Sequence, residues 1–155
     1  MAPANLQIEL KKTTPFESPH QEALLNLMRT YGLLIAPFTH LFKQHGITDT
    51  QYNVLRLLRG AGGELPCSEL SDRMLTRVPD ITRLVDRLVQ AKLVTRRRSR
   101  TDRRVVLVRL TESGRERLAQ LDQPVRDLRQ QQLAHMTADE LDTLNHLLVK
   151  VRTPG

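Results

Sequence analysis

The chain has no tryptophan, and its 155 residues include only three phenylalanines and two tyrosines. Platforms that stack the bases of single-stranded nucleic acid need several exposed rings, so this scarcity argues against such a partner. A duplex needs none. One cysteine, Cys67, excludes an internal disulfide framework and fits a reducing compartment. Nowhere do about 18 apolar residues follow one another, and the opening MAPANLQIELKKTTPFESPH lacks the basic head and apolar run of a secretory signal. These absences set the expectation of a soluble, cytoplasmic chain that does not engage a membrane. The sequence also lacks G-x-G-x-x-G, a P-loop, G-x-S-x-G and H-E-x-x-H. The histidines His20, His40, His45, His135 and His146 form no H-E-x-x-H and no cluster with carboxylates that reads as a catalytic site. No enzymatic activity, no cofactor and no metal site is expected.

What the chain has in excess is positive charge, formally +7, and nearly all of it sits in one place. Between Ser68 and Leu110 there are twelve basic and five acidic side chains, so this segment carries the whole imbalance and the rest is neutral. Its densest part is TRRRSRTDRR, residues 95–104, with six arginines and a single acid, Asp102. Such a concentration calls for a polyanionic partner. The length fits one domain with a real core.

Residues 1–19, with Pro3, Pro15 and Pro19 and few apolar anchors, predict an extended N-terminal arm. Over 20–46 the residues Leu24, Leu27, Met28, Tyr31, Phe38, Leu41 and Phe42 recur at three- and four-residue spacing, the pattern of a buried helical face, with a kink or break at Pro37. Thr48 and Gln51 form a capping box that opens a helix ending at the glycines 60–63. A short amphipathic helix follows over Ser68–Leu75, then a turn. The next helix, from Pro79 to about Lys92, puts Ile81, Leu84, Val85 and Leu88 on one side and a polar, partly basic face on the other. Leu93–Thr95 and Val105–Leu110 are strand-forming runs separated by the arginine loop, and predict a hairpin. Helix, turn, helix, hairpin is a winged helix-turn-helix over 47–110. Thr111 caps a long helix bent at Pro124, and the capping box Thr137/Glu140 opens a last one; their narrow apolar stripes predict packing on another helix, within the chain or across a two-fold axis. The fold class is mainly α with a small β-hairpin wing.

ITRLVDRLVQAKLVTRRRSRTDRRVVLVRLTESG, residues 81–114, resembles the recognition helix, wing and following cap of the MarR family of bacterial transcriptional regulators. The specific part is Asp102-Arg103-Arg104 followed by Leu110-Thr111 and Gly114. TDTQYNVLRLL and SELSDRM resemble the two preceding helices in order and spacing. The resemblance implies a homodimer, usually a repressor, joined through dimerisation helices over 20–46 and 111–152, that reads a pseudo-palindromic operator in double-stranded DNA. It also implies that many members release DNA when a small phenolic or anionic effector binds between the dimerisation helices and the winged unit.

On this footing the major groove would receive Pro79, Asp80, Thr82 and Arg83, with Arg87 reaching a phosphate. Arg83 can donate bidentately to guanine, while Asp80 could accept from cytosine or steer Arg83. Asp86 could pair with Arg83 or Gln90. Arg98, Arg100, Arg103 and Arg104 belong to the wing, where arginine can neutralise phosphates or enter the narrow minor groove. The family's D-x-R pattern implies that Asp102 holds the guanidinium of Arg104 for that groove. The effector pocket would fall near Tyr31, Phe38, His40, Tyr52 and Arg56, although core packing accounts for the aromatic residues equally well. Cys67 departs from the position of sensing cysteines in the family and is expected to be a plain structural or surface cysteine. The competing function is an architectural protein without sequence preference, which would have no need of Asp80 and Thr82 on the outward face.

Overall fold

The computed structural model describes residues 5–153. The arm is not wholly extended. Asn5 accepts the amide of Gln7 and caps a single helical turn, α1 (Leu6–Glu9), whose Leu6 is buried while Glu9 reaches Arg29 at 3.6 Å. The stretch 1–4, with Pro3, lies outside the described residues. Helix α2 (Pro19–Gln44) starts behind a Ser18 cap with proline in its first position, where the missing N–H removes no internal bond.

Pro37 does not break α2, which runs on to Gln44. Proline removes one donor, that to the Leu33 carbonyl. The turn is held from outside by Gln132, which donates to the neighbouring Leu34 carbonyl at 2.8 Å, and by the packing of Phe38 and Phe42 beyond it.

Helix α3 (Asp49–Ala61) opens on the expected capping box, Thr48 with Gln51, and stops where Gly62 takes φ +68°. Three residues missed from sequence, β1 (Glu64–Pro66), then add a strand to the hairpin β2 (Val94–Arg98) and β3 (Val106–Leu110). The sheet is antiparallel in the order β1-β3-β2. β1 is too short to show an alternation, and Pro66 speaks against a strand; it is tolerated because β1 is an edge. Between β1 and β2 lie α4 (Cys67–Arg73) and α5 (Ile81–Gln90), both shorter than the spans predicted from sequence.

Helix α6 (Glu112–Leu133) continues through Pro124, with Leu121 and Val125 buried on either side of it. Helix α7 (Ala138–Arg152) opens on the second capping box, in which the Thr137 amide and hydroxyl bond Glu140 and hold its carboxyl below the usual glutamate range.

The core lies where α3, α5 and α6 meet the sheet. Val54, Leu55 and Leu58 of α3, Leu84, Val85 and Leu88 of α5, and Val94 and Val108 of the sheet close around Leu118 and Leu121 of α6. At about 25 cal/mol per Å2 of apolar surface removed from water, each fully buried leucine stabilises this unit by roughly 2–3 kcal/mol before entropy is charged against it. By contrast, the apolar face predicted for α2 is only partly covered: Leu24, Met28 and Tyr31 are exposed, Leu27, Phe38 and Leu41 are half-buried, and Phe42 is its one buried residue. No residue of α7 is buried.

The wing is fastened to the frame at its base. Thr111 donates through its hydroxyl to the Lys92 carbonyl at 2.8 Å, accepts the Gly114 amide at 3.0 Å, and sends its own amide to Leu93. A methyl group at Gly114 would stand 2.2 Å from the Leu93 carbonyl and 2.7 Å from Leu110. This explains physically why glycine follows the threonine at that distance in the sequence.

Candidate nucleic-acid interface

The start of α5 and the wing lie beside one another: Thr82 of α5 lines one groove with Arg96 and Arg104 of the wing. Asp80 does not sit inside the recognition helix. It is the N-cap, its carboxylate accepting the Arg83 amide at 2.9 Å, so Pro79 precedes the helix instead of forming its first turn. Asp80 therefore fixes where α5 begins, and through the backbone it sets where Arg83 projects. Thr82, Arg83 and Arg87 are exposed along that face, as are Pro79 and Asp80 at its start. Asp86 pairs with neither Arg83 nor Gln90. It bonds Arg96 of β2 across the space between helix and wing.

In the wing turn the six arginines are not equivalent. Arg97 reaches back over the sheet to Glu64 at 3.0 Å. Arg98 donates to the Arg103 carbonyl at 2.7 Å and, with the Ser99 amide on Val105, closes the turn from inside. Arg98 is thus a brace as much as a free cation. Asp102 accepts the Arg104 amide at 3.0 Å and its Nε at 3.4 Å, so the pair expected from sequence does come together. The Arg104 side chain is nonetheless 93% exposed at the tip. The carboxylate costs some attraction for phosphate and in return limits the directions the guanidinium can take. Arg100 and Arg103 are exposed and make no side-chain ion pair among the described residues. Of the five acids in this basic segment, Glu69 binds Arg73, Asp80 caps, and Asp86 and Asp102 hold arginines.

A cavity of about 300 Å3 opens where α2, α3 and α6 approach the turn before α5. Tyr31, Phe38, Tyr52 and Arg56 line it, as expected, together with Arg129, Asn53 and Thr76. His40 does not; it is exposed and bonds Gln44, four residues along the same helix at 3.1 Å. With 3.6 residues per turn, His40 stands on the opposite side of α2 from Tyr31 and Phe38. Tyr52 stacks on Phe42 with ring centres 4.3 Å apart, and Arg56 donates to the side-chain amide oxygen of the buried Asn53 at 2.9 Å, so cavity wall and core are continuous. Arg129 had no signal in the sequence, because only the crossing of α6 over α2 brings it there.

Cys67 begins α4 and is partly covered. Burial pushes its thiol up, and the charge of Arg96 pulls the other way. Among the described residues no group of three His, Cys, Asp or Glu side chains could hold a metal ion, and no helix is long and apolar enough to cross a membrane.

A three-stranded wing behind an exposed, polar-faced second helix defines a winged helix protein of the DNA-binding class. Comparison with known proteins is specific about which one. Residues 45–105 match the family model described as MarR family. The chain is 40% identical over 106 residues to the multiple antibiotic resistance protein MarR of Escherichia coli K12, covering 68% of this chain and 73% of that one. The crystal structure of a MarR transcription factor from Planctomyces limnophilus is similar at 43% identity and a TM-score of 0.67, over 86% of this chain and 98% of that one. A cysteine-to-serine mutant of Escherichia coli MarR, solved in complex with operator DNA, is similar at 33% identity and a TM-score of 0.69, over 83% and 95%. The chain belongs to the MarR family of DNA-binding transcriptional regulators. These relatives are transcription factors, not enzymes.

Proposed function

We propose that the protein is a homodimeric repressor whose two winged units, 47–110 in each copy, read a pseudo-palindromic operator. The observation that carries this is the Asp102–Arg104 pair: an exposed guanidinium at a wing tip, held by one carboxylate, is suited to the narrow minor groove, whose potential is the most negative on the duplex. Arg100 and Arg103 would neutralise phosphates beside it, and α5 would lie in the adjacent major groove with Thr82 and Arg83 toward the base edges. Dimerisation is supported by the apolar residues that α2 and α7 leave uncovered, Leu24, Met28, Leu147 and Val151 among them, since a patch of this kind on a single chain marks an association site. The cavity supports an effector: apolar walls with Arg56 and Arg129 suit a small aromatic anion, and Thr76 on its rim belongs to the turn that leads into α5. A ligand there would bear on the helix that reads DNA.

The test is a titration of wild type and Arg104→Ala against a duplex enriched from a random pool by the wild-type protein. Arg104→Ala should weaken binding by about 1–3 kcal/mol, as loss of a good groove contact does. Unchanged affinity rejects the role given to the wing.

A further inference from the structure

Asp86 is the acid that the DNA-binding face would be expected to avoid. It lies on the recognition helix, within the most basic segment of the chain, where a carboxylate repels the phosphates that the surrounding arginines attract. Yet it is not left to solvent. Its Oδ1 accepts a hydrogen bond from Nη1 of Arg96, the third residue of β2. Arg96 shares its sheet face with Val94 and is in register with Val108, both buried, so its side chain starts from the core side of the sheet and leaves toward α5. Arg96 and Arg104 together line one groove of about 260 Å3, whose other wall includes Thr82 and Val85 of α5. The Asp86–Arg96 contact therefore spans the gap between the recognition helix and the strand from which the wing turn is hung.

We infer that Asp86 is a positioning residue for DNA recognition: by holding Arg96 it fixes the angle of the wing on α5, so that Arg104 and the helix face address neighbouring grooves together. This rests on the placement of Arg104 in the minor groove proposed above. It also accounts for a carboxylate where charge alone would disfavour one. A merely solvated acid and a positioning acid make opposite predictions for its neutralisation. Removing a solvated acid should strengthen binding to any duplex, because a repulsion is lost. Removing a positioning acid should weaken binding to the selected duplex, and leave binding to an arbitrary duplex unchanged or slightly stronger.

The experiment uses the full chain and two probes, the duplex enriched by wild type and an unselected duplex of equal length. Asp86→Asn is expected to lose roughly three- to fivefold in affinity for the enriched duplex, the scale of a half-exposed ion pair. It should retain wild-type affinity or better on the unselected one, which also reports that it is folded. Arg96→Gln should show the same loss on the enriched duplex, and Asp86→Asn added to Arg96→Gln should cost nothing more. Asp86→Glu, which keeps the charge for Arg96, should stay within about twofold of wild type. Asp86→Asn binding the enriched duplex as tightly as wild type, or more tightly, would overturn the inference. So would additive losses in the double variant. Arg104→Ala is measured alongside: if it binds like wild type, the wing placement has failed; if it weakens binding while Asp86→Asn does not, only the positioning role has failed.

Discussion

Leu118 and Leu147 stand on the two long helices that follow the wing, and the structure treats them oppositely. Leu118, on α6, is wholly buried against the winged unit, while Leu147, on α7, is 55% exposed. The same contrast separates the winged unit, on which Leu118 packs, from the face that α2 and α7 leave open. The winged unit closes on itself: most of its large apolar residues are inside, and four of the five acids between Ser68 and Leu110 are engaged in capping or arginine pairing. The helices outside it display leucine, methionine and valine to water. One region is complete as a single chain, and the other has the character of half an interface. A regulator that reads a two-fold operator needs both, a rigid reader and a surface that brings two readers to a fixed spacing.

The contrast can be broken most severely at the wing base. Gly114→Ala pushes a methyl group into the Leu93 carbonyl and should cost more than about 5 kcal/mol, the exceptional end of single substitutions. A chemical denaturation profile lacking a folded baseline would meet that expectation, and one close to wild type would contradict the packing described. Leu118→Ala should cost about 2–5 kcal/mol at every protein concentration. Leu147→Asp should leave the unfolding of the winged unit nearly as it is while shifting sedimentation from dimer toward monomer. If the two leucine variants behave alike, the regions do not differ as argued.

Smaller effects sharpen the same comparison. Lys92 adopts φ +60° beside the carbonyl that Thr111 bonds, a conformation a side chain disfavours, so Lys92→Gly should raise stability by about 0.5–1 kcal/mol in a thermal melt. At α7 the capping box depresses the Glu140 pKa. Its contribution is therefore fully present above the unfolded glutamate value and is lost as the pH falls through the lower folded value. A circular-dichroism titration should show helix signal falling in that acidic window for wild type. Glu140→Gln, which keeps a neutral box, should flatten that loss.

Much of the winged unit was legible in the sequence because its signals are local. Two capping boxes, the cap at Thr111 and the core stripe of α5 all appear as read, and Asp102 does meet Arg104. The residues that escaped depend on neighbours far along the chain. β1 is a strand only because β3 offers it an edge, Asp86 finds Arg96 ten residues on, and Arg129 reaches the cavity by a helix crossing. His40 misled because proximity in sequence to Phe38 is not membership of its face. Pro37 does not break α2, because the contacts that carry the helix past it outweigh the loss of one hydrogen bond.

The central claim, that two winged units read one symmetric site, is tested most directly by selecting bound duplexes from a random DNA pool with the full chain and following the enriched duplex against salt. The account predicts an inverted repeat with half-sites about one helical turn apart, bound with steep salt dependence. Salt-dependent binding with no enriched motif would contradict it, and would make the protein an architectural binder of DNA.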